Sequence, residues 1–166
     1  VRKLLGYLPS SYLEKPGIIL AEERQKATHH VNRVISKLGE IKKKFGFGAE
    51  DKSCDLTKLV PDNSRQPYDV KQVIACIADA GTFFEVQKEF AQNAVIGLAR
   101  MNGECVGFVA NQPMHMGGSI DYHASDKMAR FIRFCDCFNI PLITLVDVPA
   151  FLPGTAQEHN GIIRHG

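Results

Sequence analysis

The sequence lacks several features that would place it in a large class of proteins. No apolar run approaches the roughly 20 residues of a membrane-spanning helix, and no Asn-x-Ser/Thr glycosylation acceptor is present. Basic residues number 20 against 18 acidic ones, an excess too small to indicate nucleic-acid binding. We expect no signal peptide at the opening, where Arg2 and Lys3 lead directly into a short apolar segment. A soluble globular chain without a membrane span is predicted.

Metal sites and disulfide frameworks are not indicated either. The 166 residues contain five cysteines, an odd number, and no CxxC pair. The six histidines are scattered and form no HExxH pair, so no metal site is predicted. We therefore expect reduced thiols in a cytosol-like compartment. The cysteines are Cys54, Cys76, Cys105, Cys135 and Cys137.

Recognisable catalytic motifs are also absent. The sequence has no nucleophile elbow, no P-loop and no GxGxxG segment. Asp147 follows an apolar run and is a candidate general base, but an Asp in this place more often accepts backbone hydrogen bonds in the next turn. Glu158 and His159 are read as residues that orient a loop. No catalytic residue is assigned with certainty.

The C-terminal stretch 142–166 is the most informative part of the chain. Leu142 to Val148 is an apolar, β-branched run typical of a strand buried on both faces. Pro149, Pro153 and Gly154 end the strand and form a stiff loop. Thr155 is the predicted N-cap of a helix that runs to Arg164. A strand, a loop and a helix N-terminus in this order form either a ligand site or a tight structural turn.

The region before this stretch reads as alternating strands and helices, which indicates an α/β fold with a mixed sheet. The dipeptide Asn102-Gly103 is typical of a two-residue hairpin turn between two strands. Ser125 is the predicted cap of a helix that ends near Phe138. The predicted helices cover 69–78 and 125–138, and the predicted strands cover 83–86, 94–101 and 105–110.

Residues 17–54 contain a long amphipathic pattern. Apolar residues recur at spacings of four and three, which predicts a helix over about 21–45 with one apolar seam. Two interpretations stay open: the helix lies on its own domain, or it pairs with a partner chain. The seam residues are Ala27, Val31, Val34, Leu38, Ile41 and Phe45.

Several long segments resemble one family. These are VDVPAFLPGTAQEHNGIIRHG at 146–166, LVPDNSRQPYDV at 59–70, FFEVQKEFAQNAVIGLARMNG at 83–103 and the run from Val106 to Leu142. The opening LLGYLPSSYLEKP at 4–16 matches as well. Together they resemble carboxyltransferase subunits of biotin-dependent acyl-CoA carboxylases of the propionyl-CoA carboxylase β-chain type. They equally resemble the α subunits of biotin-dependent decarboxylases and transcarboxylases.

The resemblance implies a crotonase-like ββα superhelix that is incomplete here and follows a long amphipathic helix. Residues 1–16 would be the tail of a preceding half-domain and 17–54 a linker. Residues 55–166 would be the first part of a C-terminal carboxyltransferase domain. Both oxyanion-hole segments of the family, including one of KAYGGA type, fall outside the matching residues.

The resemblance also implies a function. The family moves a carboxyl group between carboxybiotin, carried on a biotin carboxyl carrier protein, and a short acyl-CoA; biotin is not covalently bound to the subunit itself. The wall of the biotin pocket would be formed by Pro149, Ala150, Phe151, Leu152, Pro153 and Gly154. The backbone carbonyl of Phe151 would accept a hydrogen bond from a ureido N–H. Ala150 stands where the family has glycine, so we expect either backbone strain or a Cβ that crowds the ligand. The alternative is a negative φ with the methyl group turned away, in which case nothing changes.

This resemblance predicts a homo-oligomer in the cytoplasm, or in the mitochondrial matrix for a eukaryotic parent. A fragment with only these residues is expected to be inactive in carboxyl transfer. The alternative is a non-catalytic binding or assembly module that pairs through the 21–45 helix, and a further alternative is another crotonase-like acyl-CoA enzyme. Which acyl-CoA is used, and whether the parent carboxylates or decarboxylates, stays open at this point.

Overall fold

The computed structural model describes residues 1–9, 11–17, 54–63 and 66–166. The predicted helix over 21–45 lies outside these ranges. The helices are α1 (Arg2–Leu5), α2 (Leu56–Leu59), α3 (Val70–Ile77), α4 (Tyr122–Cys137), α5 (Thr155–His159) and α6 (Ile162–His165). The strands are β1 (Phe84–Val86), β2 (Ala94–Met101), β3 (Glu104–Asn111) and β4 (Leu142–Leu145).

The strands form one mixed sheet in the order β1-β2-β3-β4. β1, β2 and β3 are antiparallel neighbours, whereas β4 runs parallel to β3. Asn102 and Gly103 join β2 to β3 with φ of 52° and 85°, as a hairpin turn of the predicted kind requires. The Asp79 carboxylate accepts from both backbone N–H groups of this turn, at 3.2 and 2.9 Å.

Helices cover both faces of the sheet. Successive side chains of a strand point to opposite faces, so β2 contributes Ile96 and Leu98 to one core and Val95 and Ala99 to the other. The first core packs against α4, and the second packs against α3. Further buried members of the first core are Tyr7, Cys105, Val109, Phe131, Cys135 and Ile140. The second core also contains Val70, Ile74, Ala78, Val106, Phe108 and Ala110.

The N-terminal segment packs onto this domain. The Tyr7 ring is buried in the first core, and its hydroxyl donates to the carbonyl of Thr82. Arg100 on β2 donates to the carbonyls of Gly6 and Gly17 at 2.6 and 2.7 Å. Asn139 donates from its side chain to the carbonyl of Tyr12 at 2.7 Å. The described part of 1–17 is therefore attached to the sheet by side-chain contacts.

The last strand differs from its prediction. β4 ends at Leu145, and its residues alternate between exposed and half-buried, so the prediction of a strand over 142–148 buried on both faces is wrong. Within the described residues β4 is the edge of the sheet and is paired only with β3. Val146 and Val148, which follow it, are exposed because no strand of the described residues covers them.

Two predicted helix boundaries are also wrong. α4 begins three residues early because Asp121 acts as its N-cap and accepts from Ala124 N at 2.9 Å, which leaves Ser125 inside the helix. Thr155 is the first helical residue of α5 and not its N-cap; Gly154, with φ of 134°, takes that position. The predicted helix over 155–164 is divided into α5 and α6 because Gly161 adopts a left-handed conformation with φ of 74°. The helix predicted over 69–78 is confirmed as α3, with Asp69 as its cap.

The cysteines depart from the expectation of five reduced thiols. Cys54 and Cys76 form a disulfide across 22 residues, with Cα atoms 5.6 Å apart. α2 and α3 lie side by side, which brings the two residues together although their spacing in the sequence matches no motif. Cys105 and Cys135 are buried free thiols, and Cys137 is an exposed one.

Candidate functional site

A backbone bridge holds the loop formed by Pro149 to Gly154. Ile120 N donates to the carbonyl of Ala150 at 3.1 Å, and Leu152 N donates to the carbonyl of Ile120 at 2.8 Å. These bonds make an isolated parallel bridge between Ile120 and Phe151. In such a bridge the backbone groups of the paired residue point away from its partner. The N–H and carbonyl of Phe151 therefore face the opposite side from Ile120.

An apolar groove of about 300 Å³ lies beside this bridge. Ile120, Val148 and Phe151 are among its lining residues, and the Phe151 side chain is 45% exposed. The Nδ1 atom of His165 is hydrogen-bonded to the Asp126 carboxylate at 2.7 Å, which holds α6 against α4 on the far wall. The groove is therefore lined mainly by apolar side chains.

The structure brings only part of the six-residue loop to this groove. Phe151 lines it, whereas Leu152 is half-buried behind the bridge. Pro149, Ala150, Pro153 and Gly154 are exposed and are not among the lining residues. Within the loop, Phe151 is therefore the residue whose surroundings fit a ligand contact best.

The Ala150 backbone is not strained. Among the described residues, φ is positive at five non-glycine positions, and Ala150 is not one of them. The prediction that alanine in place of glycine strains the loop is therefore wrong, because the bridge to Ile120 needs extended backbone that any residue can adopt. The other expectation, that its methyl group crowds a ligand, stays a prediction. The five positions are Gln87, Ala91, Asn102, Met116 and Asn139.

Side chains from α5 and α4 connect the loop to the rest of the domain. The side chain of Gln157, on α5, accepts from Tyr122 N at 3.1 Å. This bond satisfies one of the free N–H groups at the N-terminus of α4. Glu158 and His159 on the same short helix are exposed. The loop-orienting role of these two residues stays a prediction.

Asp147 is the second residue after β4 and is exposed. Burial, together with a hydrogen bond to the Asp147 carboxylate, raises the pKa of Tyr68 to about 12. The Asp147 carboxylate thus holds the Tyr68 phenol, which agrees with a structural role in the turn better than with general base catalysis. Asp147 also approaches the loop before α4, where a Cβ on Gly118 would come within 2.9 Å of its carbonyl oxygen.

Three buried polar residues next to the loop were not predicted from the sequence. Asn93, Asn111 and Gln112 are each at most 5% exposed and lie where β2 begins and β3 ends. Asn111 Nδ2 donates to the carbonyl of Gly118 at 3.1 Å. Gln112 Nε2 donates to the Asp69 carboxylate at 2.7 Å. The signal available in the sequence was a run of amide side chains at strand ends, which is also common in ordinary turns.

Lys127 is a further buried polar residue that sequence reasoning missed. It is 1% exposed, and its ammonium donates to the carbonyls of Phe90, Ala91 and Ala94 at 2.7, 3.2 and 2.6 Å. Burial lowers the pKa of Lys127 to about 8; Glu85 opposes this shift and Lys71 adds to it. Three carbonyl acceptors favour the charged form, so the geometry is that of an ammonium holding a loop.

Two kinds of site are not found in the described residues. Within 1–9, 11–17, 54–63 and 66–166, no group of three or more His, Cys, Asp or Glu side chains could hold a metal ion. No helix in these ranges is long and apolar enough to cross a membrane. What the described site offers is a backbone carbonyl edge and an apolar groove.

The described residues thus form a mixed sheet with helices on both faces. Residues 2–166 match the carboxyl transferase domain family, and the chain belongs to this family. The resemblance to carboxyltransferase subunits that the sequence analysis reported is confirmed. The solved structures described below confirm the crotonase-like fold.

Alignments with several relatives extend over the whole chain. It is 56% identical to the propionyl-CoA carboxylase beta chain of Roseobacter denitrificans and 47% identical to the carboxyltransferase subunit of propionyl-CoA carboxylase from Haloferax mediterranei. It is 46% identical to the alpha subunit of methylmalonyl-CoA decarboxylase from Veillonella parvula. Each alignment covers 100% of this chain and 28% of the relative. The chain therefore spans little more than a quarter of the length of these relatives.

Solved structures agree with the sequence relatives. The transcarboxylase 12S structure, a hexamer assembly with hydrolysed methylmalonyl-CoA bound, matches at a TM-score of 0.76 and 40% identity. It covers 99% of this chain and 28% of that one. The beta subunit of geranyl-CoA carboxylase from P. aeruginosa matches at a TM-score of 0.60 and 34% identity, over 64% of this chain and 20% of that one.

Proposed function

We propose that this chain is part of a biotin-dependent carboxyltransferase. The reaction moves a carboxyl group between carboxybiotin, presented by a carrier protein, and a short acyl-CoA of the propionyl-CoA and methylmalonyl-CoA type. Support comes from the family match and from relatives named for these two substrates. Homo-oligomerisation of the whole protein is part of the proposal, because the transcarboxylase relative is described as a hexamer.

The observation that carries the proposal is the bridge between Ile120 and Phe151. It uses the carbonyl of Ala150 and the N–H of Leu152, so the Phe151 carbonyl is turned to the other side. A ureido N–H is a hydrogen-bond donor that such a carbonyl accepts. When bound, biotin supplies the carboxyl group on its ureido nitrogen. The chain's own residues fit this ligand: Phe151 accepts the bond, and Val148 with the Phe151 ring offers apolar surface.

The proposed role of this chain is orientation rather than acid–base chemistry. Holding a reactant in a fixed direction is itself a large part of catalysis. Charge that develops on the reacting oxygens is stabilised in this family by backbone N–H groups. The KAYGGA-type segment that supplies such groups is absent from the 166 residues. We therefore propose that a polypeptide of these residues alone holds biotin weakly and does not transfer a carboxyl group.

The bridge allows a direct test by removing one N–H group. Ile120→Pro deletes the donor to Ala150, and Ser119 already has φ of −63° and ψ of 141°, the extended conformation that a residue before proline prefers. Ile120→Val keeps the donor and is the matched control. In an intact subunit that carries this sequence, we expect Ile120→Pro to raise the KM for biotin roughly tenfold or more, as loss of one orienting hydrogen bond implies.

Two results would overturn the proposal. One is an intact wild-type subunit that transfers no carboxyl group from carboxybiotin to propionyl-CoA or from methylmalonyl-CoA to biotin. The other is an equal KM for biotin in the proline and valine variants. Transfer by the isolated 166-residue polypeptide with free biotin and methylmalonyl-CoA would overturn the part of the proposal that concerns this piece.

A further inference from the structure

Asn93 occupies the centre of the polar contacts behind the loop. Its side chain is 3% exposed in total, and its Nδ2 atom donates to the carbonyl of Ser119 at 2.8 Å and to the Asp121 carboxylate at 3.1 Å. Its backbone carbonyl accepts from Gln112 N at 2.9 Å. One residue thus links the start of β2, the end of β3 and the segment that enters α4.

The two acceptors of the Asn93 amide flank Ile120. Ser119 precedes it and Asp121 follows it, so the amide holds the backbone on one side of the bridging residue and the side chain of the next residue on the other. Ile120 in turn makes both hydrogen bonds that hold Ala150 and Leu152. The Asn93 amide is therefore connected to Phe151 in two steps, by hydrogen bonds to the two neighbours of Ile120 and by the hydrogen bonds of Ile120 to the two neighbours of Phe151.

Asn93 is itself held from the other side. The Lys127 ammonium binds the carbonyls of Phe90, Ala91 and Ala94, which lie before and after Asn93 in the chain. Ala91 has φ of 43°, a conformation that costs energy for a residue with a Cβ and persists only where neighbouring contacts maintain it. The turn that carries Asn93 is therefore fixed by a buried cation before its amide reaches the 119–121 segment.

We propose that Asn93 is a positioning residue for biotin: its side-chain amide sets the place of Ile120 and so the direction of the Phe151 carbonyl. This inference rests on the proposed function. It assigns to a buried amide directly before β2, which is not among the lining residues of the groove, control over how the loop presents its backbone.

The isosteric variant Asn93→Asp separates positioning from packing. It keeps the shape of the side chain but removes both N–H donors, and it places a carboxyl group about 3 Å from the Asp121 carboxylate. Two carboxyl groups this close share one proton rather than ionise together. At low pH the shared proton restores one donor. Three charged groups lie near the side chain at position 93: Asp121, which caps α4, Lys127 within α4, and Asp69. Asp69 is connected through Gln112, which bonds both the Asp69 carboxylate and the Asn93 carbonyl.

The first measurement uses the 166-residue chain and no ligand. Hydrogen exchange is followed at the Ile120 and Leu152 amides and expressed as protection factors. We expect Asn93→Asp to lower both protection factors about tenfold at pH 8 and to recover most of the loss at pH 6. Asn93→Ala is expected to lose protection at both pH values, because it has no group to protonate. A circular dichroism spectrum like that of the wild type checks that each variant folds.

The second measurement uses the intact subunit and reads kinetics. For Asn93→Asp at pH 8 we expect the KM for biotin to rise about tenfold while the KM for the acyl-CoA changes less than twofold, with recovery of the biotin KM at pH 6. Gln92→Glu is the matched control. It makes the same change from amide to acid one residue earlier, on an exposed side chain that contacts Glu89 and not the 119–121 segment. It is expected to behave as the wild type.

The possible failures are distinguishable. If the wild-type subunit shows no transfer involving biotin, the proposed function falls and this inference falls with it. If transfer is normal but Asn93→Asp leaves the protection factors or the biotin KM unchanged at pH 8, the inference alone is overturned. Equal rises in the KM values for biotin and acyl-CoA, without recovery at pH 6, would show a general loss of structure and would also overturn it.

Discussion

Arg100 and Gly6 are 94 residues apart in the chain, and the guanidinium of one donates to the carbonyl of the other at 2.6 Å. The same guanidinium reaches the carbonyls of Gly17 and Gly103, both at 2.7 Å, and lies 5.3 Å from the centre of the Tyr7 ring. A planar group with several fixed donors is needed to serve three carbonyls in different directions. Arg100 therefore attaches the N-terminal segment to the sheet.

We expect Arg100→Lys to release the N-terminal segment. An ammonium on a single stem cannot reach all three carbonyls. The carbonyl of buried Gly103 costs about 1–3 kcal/mol if it is left without a partner, and the exposed Gly6 and Gly17 lose their attachment to the sheet. Chemical denaturation should show a loss of about 2 kcal/mol or more, with faster proteolysis within 1–17. Arg133→Lys, on an exposed side chain of α4, is the control and should change neither quantity. Equal stability of the Arg100 variant and the wild type would contradict this role.

The pair Gly117 and Gly118 allows a test of close packing against the turn after β4. Both have positive φ, of 61° and 78°, but only Gly118 faces another backbone atom, the carbonyl oxygen of Asp147. Gly117→Ala should therefore cost only the conformational strain of about 1 kcal/mol. Gly118→Ala should cost roughly 1–3 kcal/mol more, because the two backbones must separate. Thermal unfolding of the two variants gives the comparison; equal melting temperatures would show that the contact is easily relieved.

Stability should fall at alkaline pH because of two buried thiols. Burial raises the pKa of Cys105 to about 11, with Arg100 opposing the shift. Burial, and to a smaller extent Cys105, raises the pKa of Cys135 to about 12. Both values lie above the ordinary value of 9.0, so the neutral thiols stabilise the fold fully below pH 9. That contribution is lost as pH rises from 9 toward the folded values, by up to about 1.4 kcal/mol per pH unit for each group.

The free energy of unfolding at pH 8 and pH 10 measures this effect. Cys135→Ala removes one titrating group, so the stability gap between wild type and variant should narrow as the pH rises. Cys137→Ala, on the exposed face of the same helix, should keep a constant gap. A constant gap for Cys135→Ala as well would mean that its thiol ionises alike in the folded and unfolded chains.

The parts of the fold that local chemistry determines could be predicted from the sequence. Asn102-Gly103 forms the expected turn because both residues tolerate positive φ, which few dipeptides do. Asp69 caps α3 because its carboxylate accepts from Lys71 N within the same turn. Ser125 was predicted as the cap of α4, whereas Asp121 fills that place through a bond from Ala124 N and a second contact that is not local. Asp121 is held by Asn93, which lies 28 residues earlier in the sequence.

The rest of the site depends on contacts between distant residues. Lys127 reads as a solvated helix residue, yet its ammonium is buried against a turn more than 30 residues away. The exposure of β4 could not be predicted for a similar reason. An apolar run indicates that a strand prefers burial, but it does not show which element covers the strand. The loop over 149–154 could be found from its prolines and glycine. Ile120, the residue that fixes it, carries no signal of its own in the sequence.

The order of the strands also bears on how the domain forms. Each of the four strands in the described residues pairs only with its immediate neighbours in the chain, so none of these pairings requires a distant segment to thread between two others. The loops that these pairings close are short between β2 and β3 and between β1 and β2 (87–93). Only the connection through α4 to β4 is longer. Assembly can therefore spread outward from the Asn102-Gly103 hairpin, with docking of α4 and β4 as the late, slower step. The Phe151 loop follows that step, so it would take its final shape only after the sheet that supports it is complete.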